Sequence, residues 1–231
     1  MAVITISREY ASGGDEVARQ LCAVLGYRSF GKGQIIQAVE ETTYPRYMAI
    51  DYSEDAHEVQ NFLDRLFGQT ASAAQKIAWA EDPSIATSPK QAIVDEATVL
   101  SLVKRAVKAA CKAGNMVIVG RGGQMLLRGT PGVLHVRTEA PVVARIDRVM
   151  EQLRKARPEI QDDMTLRREA ADLVANRDIS SADYIKRFYE VDWADPCHYH
   201  MVLNLGQLSV VQAVQAIVAV IQTMEIPTPT K

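Results

Sequence analysis

Arg121, in the stretch Met116-Val117-Ile118-Val119-Gly120-Arg121-Gly122-Gly123, carries a permanent charge out of a short apolar run into a glycine-lined turn. A guanidinium presents a planar fork of N–H donors that matches phosphate oxygens. The carboxyl ends of parallel strands are where open α/β sheets take ligands, so Gly120-Arg121-Gly122 reads as a grip on a phosphorylated substrate. The same arginine could instead clamp a loop through backbone carbonyls, and both readings stand at this point. A second stretch points the same way. Val3-Ile4-Thr5-Ile6 is β-rich, Ser7-Arg8-Glu9-Tyr10-Ala11-Ser12-Gly13-Gly14 follows, and Val17, Leu21, Val24 and Leu25 then fall on one helical face with Gly26 as a stop. Strand, glycine turn and helix leave unpaired N–H groups and a partial positive charge at the helix start, which together attract anions.

The match to a phosphate-binding loop is incomplete. The pattern G-x-x-x-x-G-K-[ST] calls for lysine where this chain has Gly14, and Arg8 stands at the leading glycine. Asp15 and Glu16 open the helix. They suit the helix dipole but repel a bound phosphate unless a cation intervenes. A tight strand-to-helix turn with acidic first-turn residues is the plainer reading of the same stretch.

A third cationic region runs from Arg145 to Arg187. Arg145 and Arg148 lie one helical turn apart, and Arg177, Lys186 and Arg187 follow on a second helical pattern. A closing arm with such charges could offset charge on a moving phosphoryl group while excluding water. Acids are dense here too, among them Asp147, Glu151, Asp178 and Asp183, so a solvated, salt-bridged face is an equal reading. Cys197, His198 and His200 are close enough for a metal, but without a second ligand cluster packing or hydrogen bonding is the simpler role. No metal ligand set is assigned.

The elements that must position these groups follow from periodicity. Four β-rich runs, Val3 to Ile6, Met116 to Val119, Val133 to Val136 and Met201 to Leu205, are separated by helical patterns. That predicts an α/β fold with a mostly parallel sheet flanked by helices. A fifth strand has residues 27–31 as its weak candidate. Ser88-Pro89-Lys90-Gln91 starts a helix whose stripe includes Val103, Val107 and Ala110. Val142, Ile146, Val149, Met150 and Leu153 mark another, and Ser209 with Gln212 forms a capping box for the last. Residues 32–87 read as a helical insertion, with Tyr44, Arg46 and Tyr47 able to stack on or hold a base, or simply as a further layer over the sheet.

With 231 residues and 48% hydrophobic content, one domain spanning residues 1–231 is the default. A net charge of -2 supplies no global pull toward nucleic acid or anionic lipid, so no nucleic acid and no membrane partner is expected. Three cysteines without a C-x-x-C suit reduced thiols, and with no signal-peptide pattern at the start a cytoplasmic location is expected. A homo-oligomer is expected only on its commonness among soluble enzymes.

Nearly end to end, the chain resembles the cytidylate-kinase-like family of P-loop nucleoside monophosphate kinase relatives. The pieces that carry the resemblance are Ile4 to Gly14, Val117 to Gly123, Phe188-Tyr189 with Asp192-Trp193-Ala194-Asp195-Pro196, and Tyr199 to Ser209. The resemblance implies a three-layer P-loop kinase-like fold with an acceptor-binding insertion at about residues 32–87 and a lid at about 145–190. It implies transfer of the ATP γ-phosphoryl group to a CMP-like monophosphate, with ATP and Mg²⁺ as cofactors. The partners would be a nucleoside triphosphate and a small phosphorylated acceptor. Ser12, Gly13, Gly14, Asp15 and Glu16 would hold the triphosphate and its metal. Gly120, Arg121, Gly122, Arg145 and Arg148 would hold the acceptor, and Arg8, Arg121, Arg177 and Arg187 would serve the transfer. The chain departs from the family at Gly122, where cytidylate kinases have aspartate, and at Ser181, where a lid arginine is expected. A nucleotide- or phosphate-binding regulatory module without phosphotransfer, or a kinase of another small metabolite, fits the same residues.

Overall fold

The computed structural model describes residues 2–31, 96–159 and 162–224. The expected insertion, with Tyr44, Arg46 and Tyr47, and the Ser88 helix start lie outside these residues. All four apolar runs and the weak fifth candidate form strands: β1 (Val3–Arg8), β2 (Arg28–Phe30), β3 (Met116–Val119), β4 (Val133–Glu139) and β5 (Met201–Asn204). They make one parallel sheet in the order β2-β3-β1-β4-β5. β1 lies at its centre, so the loop that follows it is flanked at the carboxyl edge by the loops after β3 and β4.

The helices are α1 (Gly14–Leu25), α2 (Glu96–Ala113), α3 (Gly123–Leu126), α4 (Val142–Ala156), α5 (Asp163–Tyr189) and α6 (Val210–Thr223). Alternation along the strands sends Ile4, Ile6, Val117, Leu134 and Val136 to one face, where they pack with Val17 and Leu21 of α1 and Ala213, Val214 and Ile217 of α6. Val3, Met116, Ile118 and Val133 go to the other face, beneath Val103, Val107 and Ala110 of α2. Each fully buried aliphatic side chain of this kind contributes about 1.5–3 kcal/mol relative to exposure. The result is three layers, helices on both sides of a sheet. No helix among the described residues is long and apolar enough to cross a membrane.

Three details differ from the pattern in the sequence. β1 runs on to Arg8 and β4 to Glu139, beyond the apolar runs ending at Ile6 and Val136, because Ser7 pairs Arg137 and Arg8 pairs Thr138 in register. Polar side chains hide this extension from a hydrophobicity reading, although parallel pairing needs only the backbone. Val24, at 63% exposure, turns away from the core that Val17 and Leu21 enter. On α4, Val142 is 52% exposed while Arg145 is buried, so the helix is rotated to bring its arginine inward.

The α2 face of the sheet is polar toward its carboxyl edge. The Thr5 hydroxyl lies 2.8 Å from Nδ1 of His135, whose ring stacks on His200 at 5.0 Å. The His200 Nδ1 accepts from the His135 amide at 2.9 Å, which gives that histidine a hydrogen-bonding role in joining β4 to β5. Burial, helped by His200, pushes the His135 imidazole down to about 4 from its usual value of 6.5. Its folded form therefore refuses a proton that the unfolded chain accepts, and stability present above pH 6.5 is lost as pH falls toward 4. Denaturation at pH 7 and pH 5 should show a loss on the order of 1–2 kcal/mol from this group. A His135→Asn variant should lack that part of the acid slope.

Candidate phosphate-binding site

The loop after β1 is shaped from behind. Arg145 donates from Nη1 to the Tyr10 carbonyl at 3.2 Å and from Nε to the Ala140 carbonyl at 2.9 Å. Arg148, one turn further along α4, donates from Nη1 to the carbonyls of Ala11 at 2.9 Å and Ser12 at 2.7 Å, and from Nη2 to Leu205 at 3.2 Å. Three consecutive loop carbonyls thus face two guanidiniums. No cis peptide occurs among the described residues, and a trans peptide holds its C=O and N–H antiparallel, so the N–H groups of Ala11 and Gly13 are turned away from α4. The Ser12 amide is used within the loop, donating to the Glu9 carbonyl at 3.1 Å.

Helix α1 adds further donors. Its first backbone bonds run from Glu16 and Val17 to the Gly13 carbonyl, each 3.1 Å, so the amides of Gly14 and Asp15 lie ahead of the ladder. Gly13 itself sits at φ 104, which glycine adopts without strain, and Ala11 at φ 59 takes the same left-handed region at some cost. The Ser12 hydroxyl is buried and 3.0 Å from the Thr138 hydroxyl. The face of the loop opposite the arginines therefore offers main-chain N–H groups at a helix start, an arrangement suited to an anion.

The missing lysine is a matter of space as well as identity. A Cβ on Gly14 would stand 2.7 Å from the Cβ of Arg8 and against the Thr138 hydroxyl. The Arg8 stem fills the volume that a side chain at position 14 needs, and its Nε pairs with Asp15 at 2.9 Å. Asp15 is thus directed toward Arg8 at the end of β1. Glu16 is directed along α1 instead, bonded to Arg19 and Gln20, and these bonds hold its carboxyl down at about 2.

Beside this loop, Gly120, Arg121 and Gly122 are all left-handed, at φ 69, 63 and 64, and the Gly120 amide donates to the Ile6 carbonyl at 2.8 Å. The turn is therefore stitched to β1. Arg121, at 5% exposure, is a buried charge in a strained backbone conformation, a combination that gathers at functional sites. At Gly122 a Cβ would lie 2.6 Å from Cε2 of Tyr189, so the end of α5 rests on this turn and excludes any side chain there.

Arg177 and Arg187 lie on α5. The Arg177 guanidinium is 5.7 Å from the Tyr10 ring centroid, at the loop. Arg187 sits on the last turn, 5.6 Å from the Phe188 ring centroid. The described structure brings Arg8, Ser12 to Asp15, Arg145, Arg148 and Arg177 to one loop, with Gly120 to Gly122 on the adjoining strand end, while Glu16 turns away along α1 and Arg187 sits on the last turn of α5 against Phe188.

Two participants escaped the sequence reading. Glu9 accepts from the Ala140 amide at 3.1 Å and lies 3.4 Å from Arg145 Nε. Burial pushes its carboxyl up, while the Ala140 amide and Arg145 pull it back. Arg137, almost wholly buried, bonds Glu139 at 2.6 Å and the Trp193 carbonyl at 3.1 Å, with its guanidinium 4.2 Å from the Trp193 ring. Trp193 in turn donates from Nε1 to the Ser7 hydroxyl at 2.7 Å. The available signal was a charged residue just after an apolar run, Arg137 after Val133 to Val136, as Arg121 follows Met116 to Val119.

The sequence model of the cytidylate kinase-like family matches residues 3–207. A comparison with curated protein sequences gave no match. Among solved structures, an uncharacterized protein from Eubacterium ventriosum is similar in fold, with a TM-score of 0.63 at 17% identity, over 96% of this chain and 99% of that chain. A shikimate kinase from Acinetobacter baumannii in complex with shikimate has a TM-score of 0.46 at 14% identity, over 96% of this chain and 94% of that one. A shikimate kinase from Bacteroides thetaiotaomicron has a TM-score of 0.49 at 12% identity, over 96% and 98%.

The closed volume at Gly14 inverts an ordinary expectation. Alanine in place of glycine usually favours a helix by up to about 1 kcal/mol. Here Gly14→Ala should destabilise the protein by about 1–3 kcal/mol through overpacking against Arg8 and Thr138, measured as the shift in denaturant midpoint.

Proposed function

Because the chain belongs to the cytidylate kinase-like family, we propose that it transfers the γ-phosphoryl group of ATP to a small phosphorylated acceptor, a CMP-like nucleoside monophosphate. The observation that carries this reading is the pairing of two anion-suited surfaces at one sheet edge: the amides of Ala11, Gly13, Gly14 and Asp15, and the buried Arg121 in the turn tied to β1. Amides at a helix start suit the donor triphosphate, and a guanidinium fork suits the acceptor phosphate.

Each cation then has a separate task. Arg8 stands in for the absent lysine and, once released from Asp15, faces the donor phosphates. Arg145 and Arg148 act through the loop, since their donors go to its carbonyls. Arg121 holds the acceptor, and Arg177 and Arg187 bring charge from the lid side. Residues 32–87 would supply the acceptor-binding insertion and residues 145–190 the lid, within a single domain. Position and charge suffice for this chemistry, and no covalent intermediate is required.

Mg²⁺ fits the donor set, because the exposed Asp15 carboxylate at the first turn of α1 is a hard oxygen ligand of the kind this ion takes together with water. The ion would supply neutralisation of charge on the triphosphate oxygens. Asp15, exchanging Arg8 for that ion, would leave the guanidinium for phosphate and would cease to repel it.

A second reading, a nucleotide-binding regulatory module without phosphotransfer, is favoured by the closure of the lysine volume at Gly14. The two separate in one assay. The kinase reading predicts ADP formation from ATP and Mg²⁺ that depends on an added nucleoside monophosphate, and a fall of about 10²–10³ in that dependent rate in Arg121→Ala. Nucleotide-induced thermal stabilisation without turnover, across a panel of monophosphates and other phosphorylated or hydroxylated metabolites, favours the module instead.

A further inference from the structure

The Tyr10 residue is held at both of its backbone polar groups by one ion pair. Asp178, in the middle of α5, accepts the Tyr10 N–H at 2.8 Å through Oδ1. Its other oxygen pairs with Arg145 Nη1, and that same nitrogen donates to the Tyr10 carbonyl at 3.2 Å. The circuit Tyr10 N–H, Asp178, Arg145, Tyr10 C=O is closed. It joins three parts of the chain that are distant in sequence: the loop after β1, α4 and α5. Ala11, the next residue, is the one non-glycine left-handed residue of the loop, at φ 59. Its conformation persists because the peptides on both sides are fixed, by this circuit before it and by Arg148 on the Ala11 and Ser12 carbonyls after it.

From this geometry we infer that Asp178 is a positioning residue for the anion-binding loop, so that the affinity of the loop for donor phosphates depends on how α5 is seated. Both Asp178 oxygens are engaged within the protein, one by the Tyr10 amide and one by Arg145. Asp178 thereby takes the Tyr10 amide out of the set facing an anion and, through Arg145, sets the direction of the Ala11 N–H. The apolar contact beneath the circuit couples the same parts, since Tyr10 and Ala11 pack with Val149 of α4 and Ala170 and Val174 of α5. The neighbouring Arg177, whose guanidinium lies over the Tyr10 ring, is delivered to the loop by the same seating of α5. The helix that carries the lid-side cations is therefore also the helix that shapes the donor pocket. A displacement of α5 would loosen the amides and withdraw Arg177 together.

The inference rests on the proposed reading of this loop as the donor site, and the test separates the two. Pyrophosphate and ATP, each with Mg²⁺, are titrated calorimetrically into the full-length protein and into Asp178→Asn, Asp178→Glu and Asp178→Ala, with amide hydrogen exchange of residues 10–17 followed in parallel. Asp178→Asn keeps an acceptor for the Tyr10 N–H but loses the charge that holds Arg145. Its affinity for both anions should fall about tenfold, the scale of a lost charge-assisted hydrogen bond. Asp178→Ala should fall further, and Asp178→Glu should recover part of the loss. The Tyr10 and Ser12 amides should exchange faster in Asn and Ala variants while Val17, inside α1, is unchanged. A merely stabilising role predicts a lower melting temperature with unaltered anion affinity, and that result overturns the inference while leaving the donor site intact. Failure of the unmutated protein to bind either anion overturns the reading of the loop, and the inference with it.

Discussion

The hold of α4 on the back of the β1 loop is the constraint on which the site depends. Two arginines one helical turn apart take the carbonyls of Tyr10, Ala11 and Ser12. Since a trans peptide points its two polar groups in opposite directions, cations behind the loop are equivalent to N–H groups in front of it. Backbone dipoles oriented in this way need no reorganisation when an anion arrives, which is what makes such a surface effective. The burial of Arg145 is tolerable because its donors meet two carbonyls and the carboxylates of Asp178 and Glu9.

Sheet topology brings the second anion-suited surface to the same edge. With β1 between β3 and β4, the Gly120 amide can bond the Ile6 carbonyl, and Arg121 emerges beside the loop. The end of α5 rests on Gly122 through Tyr189 while its middle grips Tyr10 through Asp178. One helix thus spans both surfaces. Arg8 at the end of β1 and Asp15 in the first turn of α1 pair with each other across the loop that joins them.

The sequence exposed the sheet most clearly where strands are apolar. Val3 to Ile6, Met116 to Val119 and the start of β4 are unmistakable, while β2 is three residues, Arg28, Ser29 and Phe30, only one of them apolar, and is fixed by pairing with β3. The carboxyl-edge extensions of β1 and β4 were hidden because Ser7, Arg137 and Thr138 are polar yet buried. Arg145 and Arg148 stood out as cations, but their targets are main-chain carbonyls, which carry no side-chain signature and emerge only when the chain is folded. Likewise, the absence of lysine at position 14 was plain from the pattern. That Arg8 and Thr138 fill its volume required the register of β1 against β4, which brings Arg8 opposite Thr138.

A crystal structure of the protein with pyrophosphate and Mg²⁺ tests the central claim most directly. The account predicts anion density on the amides of Gly13, Gly14 and Asp15, with Arg8 parted from Asp15 and Arg148 still bonded to the Ala11 and Ser12 carbonyls. An anion held instead by the guanidiniums of Arg145 and Arg148, with those carbonyls released, would contradict it.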